Sequence, residues 1–219
     1  RGAYVVSASM ERFMTKFRDK LVSQPIKGTA KRGLSAEADQ AQASHLHRDE
    51  KERAENVMIV DLVRNDLAKS AQTGSVHVDE LFGIYPFPTV HQMISTVSAL
   101  KAENVHSIDA LRHAFPMGSM TGAPKVRAMQ LIERYEASKR SIFSGAIGYI
   151  TPWQDYDFNV VIRSFLYNSQ TKTLTLPVGS AITYDADPER EYEECMVKIE
   201  KLKRCLYQAP AEAGAKAQA

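Results

Sequence analysis

At 219 residues, with 44% hydrophobic and 25% charged positions, the chain has the make-up of a globular protein with enough length for a sizeable core. Its 28 Lys and Arg against 26 Asp and Glu leave a formal charge of +2, and no dense basic tract with interleaved aromatics occurs, so a nucleic-acid partner is not expected. The longest apolar runs fall far short of a membrane span and no signal-peptide pattern opens the chain, so the expectation is a cytoplasmic protein with no membrane partner.

In chain order, YVVSAS (4–9) reads as a strand and MERFMTKFRDKL (10–21) as a short amphipathic continuation. PIKGT (25–29) is a strand-turn, and Ser35 caps a helix whose first turn carries Glu37 and Asp39. A longer helix is predicted from about Asp49 to Lys69, followed by strands over SVHVDELF (75–82) and VHQMISTVSALKAE (90–103), then a helix over SIDALRHAF (107–115) capped by Ser107. PMGSMTGAP (116–124) is a punctuated loop opening onto the amphipathic KVRAMQLIERYEAS (125–138). SIFSGAIGYIT, FNVVIRSFLYN and KTLTLPVGSAIT read as an antiparallel meander, and Asp187 with Pro188 starts a final helix. That helix carries Cys195 and Cys205, too far apart along it for a disulfide and expected as reduced thiols. The tail from residue 209, APAEAGAKAQA, has nothing to bury and is expected to be disordered. Elements come in clusters rather than strict alternation, which places the chain in the α+β class with an antiparallel sheet.

Several polar residues fall where apolar ones are the norm. On a wheel of the 49–69 helix, Glu52, Glu55, Ile59, Leu62, Val63 and Asp66 share an arc of about 100°. Acids on an apolar stripe must be paired, hydrogen-bonded or metal-bound, although Glu52 also suits a helix's first turn. In the final helix Glu191, Glu194 and Lys198 share one side, either as a surface ladder or as part of a site. Carboxylates from two helices suit Mg²⁺, and no Cys/His spacing suggests zinc. GSMTGAPK is not a Walker A loop, because Ala123 and Pro124 separate Gly122 from Lys125. Its glycines before a helix start fit either a plain junction or an anion site. Alternation puts Arg163 on the face of Val161 and Phe165, where an arginine meets a carboxylate or a phosphate. His91 shares a face with Met93, as a hydrogen-bonded core histidine or a site residue. Inward cations, a helix-start anion loop and paired acids together describe a pocket for a small polyanion.

The motifs PIKGT, DEKERAENVMIVDLVRNDL, HQMISTV, FPMGSMTGAPKVRAMQLIE, FSGAIGYI and DPEREYEECMVK occur in this order. They resemble those of the chorismate-utilising enzymes, over about Ser7 to Leu206. The resemblance implies that family's αββα sandwich of antiparallel sheets, incomplete at the N-terminus, in one catalytic domain over residues 1–208. Within the family, Lys27 in PIKGT resembles the aminodeoxychorismate synthase component I branch, where anthranilate synthases carry alanine; Ser119 points the same way.

The resemblance further implies Lys27 as the nucleophile toward chorismate and Glu11 in SMERF as the general acid/base. It implies Mg²⁺ on Glu55 and Glu194 with support from Glu191. Gly28, Thr29, His91, Ser119, Arg163, Gly179 and Lys198 match positions around the substrate. A separate glutamine amidotransferase subunit would supply ammonia, and the product would feed para-aminobenzoate and folate synthesis. Anthranilate or isochorismate/salicylate synthesis, or chorismate binding without turnover, stand as alternatives. Phe143 departs from the tyrosine of many relatives and cannot donate that hydrogen bond. Lys31 and Arg32 are expected to help keep Lys27 neutral if they point inward.

Overall fold

The structure, a computed structural model, describes residues 2–184 and 186–207. The expected disordered tail and the end of the expected 1–208 domain lie outside the described residues. The elements are β1 (Ala3–Ser7), β2 (Arg12–Phe17), β3 (Lys20–Gln24), β4 (Ile26–Lys31), α1 (Ala36–Arg48), α2 (Glu50–Ala68), β5 (His77–Pro86), β6 (Val90–Leu100), α3 (Ser107–Ala114), α4 (Lys125–Tyr135), β7 (Ala146–Ile150), β8 (Tyr156–Val160), β9 (Ser164–Asn168), β10 (Thr173–Thr175) and α5 (Pro188–Tyr207). All strand pairs are antiparallel, and helices and strands are clustered, so the fold is α+β. The described residues divide into two compact units, one of residues 9–161 and one formed by 2–8 with those described from 162 onward.

The larger unit is built on β6, which is buried along most of its length and paired on both edges. β5 runs along one edge, while β3 and then β4 share the other, β3 facing residues 97–100 and β4 residues 90–94. Pro25 marks the change-over, and its carbonyl accepts from the Ser95 N–H at 3.2 Å. The sheet continues through β2 and β8 to β7. Leu21, Met93, Val97, Met14 and Tyr156 are almost completely buried, as are Ile59, Val60 and Leu67 of α2, which packs against β4 and β6. Side-chain caps start α1 and α2: Ser35 accepts from the Ala38 N–H, and Asp49 from the Glu52 N–H at 3.0 Å. For α3 the cap is His106, whose Nδ1 accepts from the Ile108 N–H; Ser107 is the first helical residue.

Residues 10–21 are not an amphipathic continuation but the β2–β3 hairpin, turning at Arg18 with φ 53°. The register shifts between Arg12 and Thr15, so Phe13 and Met14 are both buried. That bulge breaks the two-residue period and leaves a spacing that imitates a helix. Lys16, also buried, is satisfied by Asp155 at 3.2 Å and the Gln154 carbonyl at 3.1 Å.

In the smaller unit β9 lies between β1 and β10, and α5 follows. Asp187 caps α5 as expected, accepting from the Arg190 N–H at 3.0 Å. The expected meander is broken in its middle: FNVVIRSFLYN splits into β8 and β9, which belong to different sheets. Arg163, with φ 50°, sits in the break, so it does not continue the alternation of Val161 and Phe165. Cys195 and Cys205 are not joined in a disulfide, as their spacing requires. Among the described residues no helix is long and apolar enough to cross a membrane.

Candidate active site

Lys27 and Gly28 fall where β4 slips its register on β6, between Ile26 and Thr29. A bulge re-aims a side chain, and Gly28 takes φ +93°, which a glycine adopts without the cost of a Cβ. A Cβ there would meet Met93 at 3.2 Å, Glu52 Oε2 at 3.3 Å and Leu46 at 3.3 Å. Side chains of β6, α1 and the acidic start of α2 therefore converge on this glycine. Lys27 is half-buried, with its Nζ 4.0 Å from Glu55 Oε2.

Glu52 and Glu55 are both half-buried on the inward stripe of α2, as the wheel predicts. Burial holds Glu52 above the ordinary carboxylate range, and the charge of Glu55 adds to the effect. Lys31 is exposed, and Arg32 is committed to Asp39, with Nε–Oδ1 and Nη2–Oδ2 distances of 2.7 and 2.6 Å. Neither does what was expected of it beside Lys27; the charges around this amine are acidic.

Further along the same face of α2, Ile59, Val63 and Asp66 wall a cleft enclosing about 360 Å³, open solvent included. Glu55 and Ile59 are one helical turn apart, roughly 6 Å of rise. Glu11 and Ser119 both line this cleft, with Gly118 and Met117 beside them. Glu11 is 6% exposed, and its carbonyl takes part in the sheet by accepting from the Val160 N–H at 3.0 Å. One helix face thus runs from the Lys27 cluster to the wall that holds Glu11 and Ser119.

His91 is buried, with Nε2 2.9 Å from Asp39 Oδ1, while its Nδ1 has no hydrogen-bond partner among the described residues. Asp39 also accepts from the Gly33 N–H at 2.8 Å. The guanidinium of Arg32 is the largest cause holding the Asp39 carboxyl well below its usual range. Asp39 is a site neighbour that sequence reasoning read only as a helix-start acid. Thr29, exposed, has its hydroxyl 3.4 Å from Gln92 Oε1. Phe143, half-buried, lies in a turn with its N–H on the Arg140 carbonyl.

The smaller unit brings together the other expected residues. Arg163 and Lys198 line one pocket with Val178 and Leu202. Lys198 Nζ donates to the Gly179 carbonyl at 3.0 Å and pairs with Glu194. Glu194 is exposed and Glu191 half-buried on the same helix.

Among the described residues no three or more His, Cys, Asp or Glu side chains within either unit form a ready metal cage. The expected ligands nevertheless suit a hard divalent cation: Glu55, Glu191 and Glu194 offer only carboxylate oxygens. Lys27 comes no closer to Glu55 than 4.0 Å, and beside it the Glu52 carboxyl is pushed up by burial first and by the charge of Glu55 second.

A family profile described as chorismate binding enzyme matches residues 1–204. An aminodeoxychorismate synthase of Streptomyces griseus is 45% identical over 203 residues, which are 92% of this chain and 28% of that protein. Aminodeoxychorismate synthase component 1 of Escherichia coli (strain K12) is 41% identical over 203 residues, 92% of this chain and 44% of that protein. The crystal structure of anthranilate synthase component I from Streptococcus pneumoniae TIGR4 superposes with a TM-score of 0.83 at 33% identity, covering 93% of this chain and 44% of that one. The chain therefore spans less than half the length of these relatives.

Proposed function

Because the chain belongs to the chorismate binding enzymes, we propose that the protein it is part of aminates chorismate at C4 to 4-amino-4-deoxychorismate through a covalent Lys27 adduct. The observation that carries this reading is the placement of Lys27: a lysine on a strand bulge, between a proline and a positive-φ glycine, half-buried against Glu55. A lysine kept for solubility needs none of these features.

An amine attacks carbon only when it has shed its proton. Glu52, whose Oε2 would lie 3.3 Å from a Cβ at Gly28, is the carboxylate set beside the bulge to take that proton. The Lys27 nitrogen then bonds to C2 of the ring, both ring double bonds shift (C1=C2 to C1=C6, C5=C6 to C4=C5), and the C4–O bond breaks. Glu11 donates the proton with which the hydroxyl leaves as water. Ammonia adds at C4 and passes its surplus proton to Glu11, both double bonds return, and Lys27 departs as the neutral amine. Glu55 and Glu194, with Glu191 through water, would hold a Mg²⁺ ion, which supplies countercharge for the ring carboxylate. Arg163 grips the enolpyruvyl carboxylate, and Lys198 stands beside it in the same unit. Gly28, Thr29, His91, Ser119 and Gly179 complete the substrate's surroundings. Ammonia comes from a glutamine amidotransferase partner, and the product goes toward para-aminobenzoate and folate.

Anthranilate formation is the second reading, favoured by the likeness to the pneumococcal anthranilate synthase. Product analysis of the full-length protein with chorismate, ammonia and Mg²⁺ separates the two. The expected product is 4-amino-4-deoxychorismate, and Lys27→Ala abolishes it or diverts it to anthranilate. A variant that makes the same product at the same rate removes the role given to Lys27.

A further inference from the structure

Lys125 opens α4, yet its side chain turns inward. Its Nζ donates to Asp66 Oδ2 at 2.5 Å, to the Pro116 carbonyl at 2.6 Å and to the Ala114 carbonyl at 3.0 Å. An ammonium has three N–H donors, so all are spent inside the protein and none remains for a bound anion. Asp66 is 4% exposed, and its other oxygen accepts from Lys69 Nζ at 3.0 Å. Desolvation pushes the Lys125 pKa down, and Asp66 opposes that push. Buried ion pairs of this kind add little net stability, because desolvation offsets much of the attraction.

What the pair does hold is the segment between α3 and α4. Two carbonyls at its start, Ala114 and Pro116, are drawn onto Lys125. At its far end Arg140 Nη1 donates to the Met120 carbonyl at 2.6 Å, and Thr121 Oγ1 donates to the Met117 carbonyl at 3.0 Å. Between these anchors lie Met117, Gly118 and Ser119, which wall the cleft with Glu11. Asp66 lines the same cleft from α2, so the pair sits at the join of helix and segment.

We propose that the Asp66–Lys125 pair positions the 114–120 segment, setting Ser119 and Gly118 against the substrate in the cleft they share with Glu11. This rests on the chorismate chemistry proposed above, and it assigns Lys125 a positioning role rather than contact with substrate. Lys125 is thus the bolt behind the loop rather than a ligand within it.

The test compares full-length wild type with Lys125→Met and with Lys125→Met/Asp66→Leu, the second an apolar pair that spares the fold an unpaired buried charge. Two readouts are taken: amide hydrogen exchange, and steady-state kinetics with chorismate. In both variants the amides of Met117 to Thr121 exchange roughly tenfold faster, while those of β6 are unchanged. KM for chorismate rises roughly tenfold, and kcat moves far less. Unchanged exchange in the segment overturns the proposal. Faster exchange spread through β6 does so too, since the pair would then merely hold the fold together, as does a loosened segment with unaltered KM. Should the wild type turn over no chorismate, the proposed reaction falls. The exchange pattern, confined or spread, then decides by itself whether the pair positions this segment.

Discussion

Replacing Gly28 by alanine tests whether the bulge that presents Lys27 is built on backbone freedom, close packing or both. At φ +93° an L side chain pays a steric penalty of about 1–2 kcal/mol. Its Cβ would also sit 3.2–3.3 Å from Met93, Glu52 and Leu46, tighter than comfortable van der Waals contact. Overpacking of a filled site adds about 1–3 kcal/mol, so the whole loss is about 2–5 kcal/mol. Gly74→Ala is the internal control: its φ is +77°, but nothing lies within 4 Å of the added carbon, so only the backbone penalty applies. Urea unfolding of the full-length protein, followed by circular dichroism, measures both. The expected order is wild type, then Gly74→Ala, then Gly28→Ala. If the two variants lose the same amount, the neighbours of Gly28 yield freely and the packing account is wrong. If neither loses stability, the strain account is wrong as well.

Ser95→Ala should be among the costlier core changes, because Ser95 Oγ donates to Asn56 Oδ1 at 2.6 Å and accepts from the Phe82 N–H at 3.1 Å. Two buried groups are left unpaired, at about 1–3 kcal/mol each, and a loss under about 1 kcal/mol in urea unfolding would refute this reading. The Asp39 carboxyl is held below its ordinary 3.8, chiefly by Arg32, so its stabilising contribution is complete above that pH and fades as acid drives the pH down through the folded-state value. The stability gap between wild type and Asp39→Asn is therefore expected to be wide at neutral pH and to narrow below pH 3.8, and a gap that widens toward acid would contradict the assignment.

How much was legible in the sequence depended on how far apart the interacting residues lie. The stripe of Glu52, Glu55, Ile59, Val63 and Asp66 could be read because one helix fixes its own geometry, from a capping Asp49 onward. The same holds for Asp187 at the start of α5. Lys27 was legible through its flanks, since Pro25 and Gly28 advertise an interrupted strand. What failed was local irregularity inside strands: the bulge at Phe13 disguised β2, and the positive φ of Arg163 cut one apparent strand into two belonging to different sheets. What could not be read at all were partners joined only by folding. His91 meets Asp39 across 52 positions, and Lys125 meets Asp66 across 59. No periodicity carries such information. Arg32 shows the reverse error, a cation near Lys27 in sequence that Asp39 draws away from it.

β3 and β4 hang on one side of β6 as separate attachments, and proline, having no N–H, leaves the joint between them weakly stitched. The hairpin bearing Glu11 at its base is anchored at residues 97–100, and the strand bearing Lys27 at residues 90–94. The proton donor and the nucleophile proposed above would thus be geared to one shaft by different teeth. A small tilt of the second strand, as the proposed adduct forms and breaks, would then leave the first in mesh.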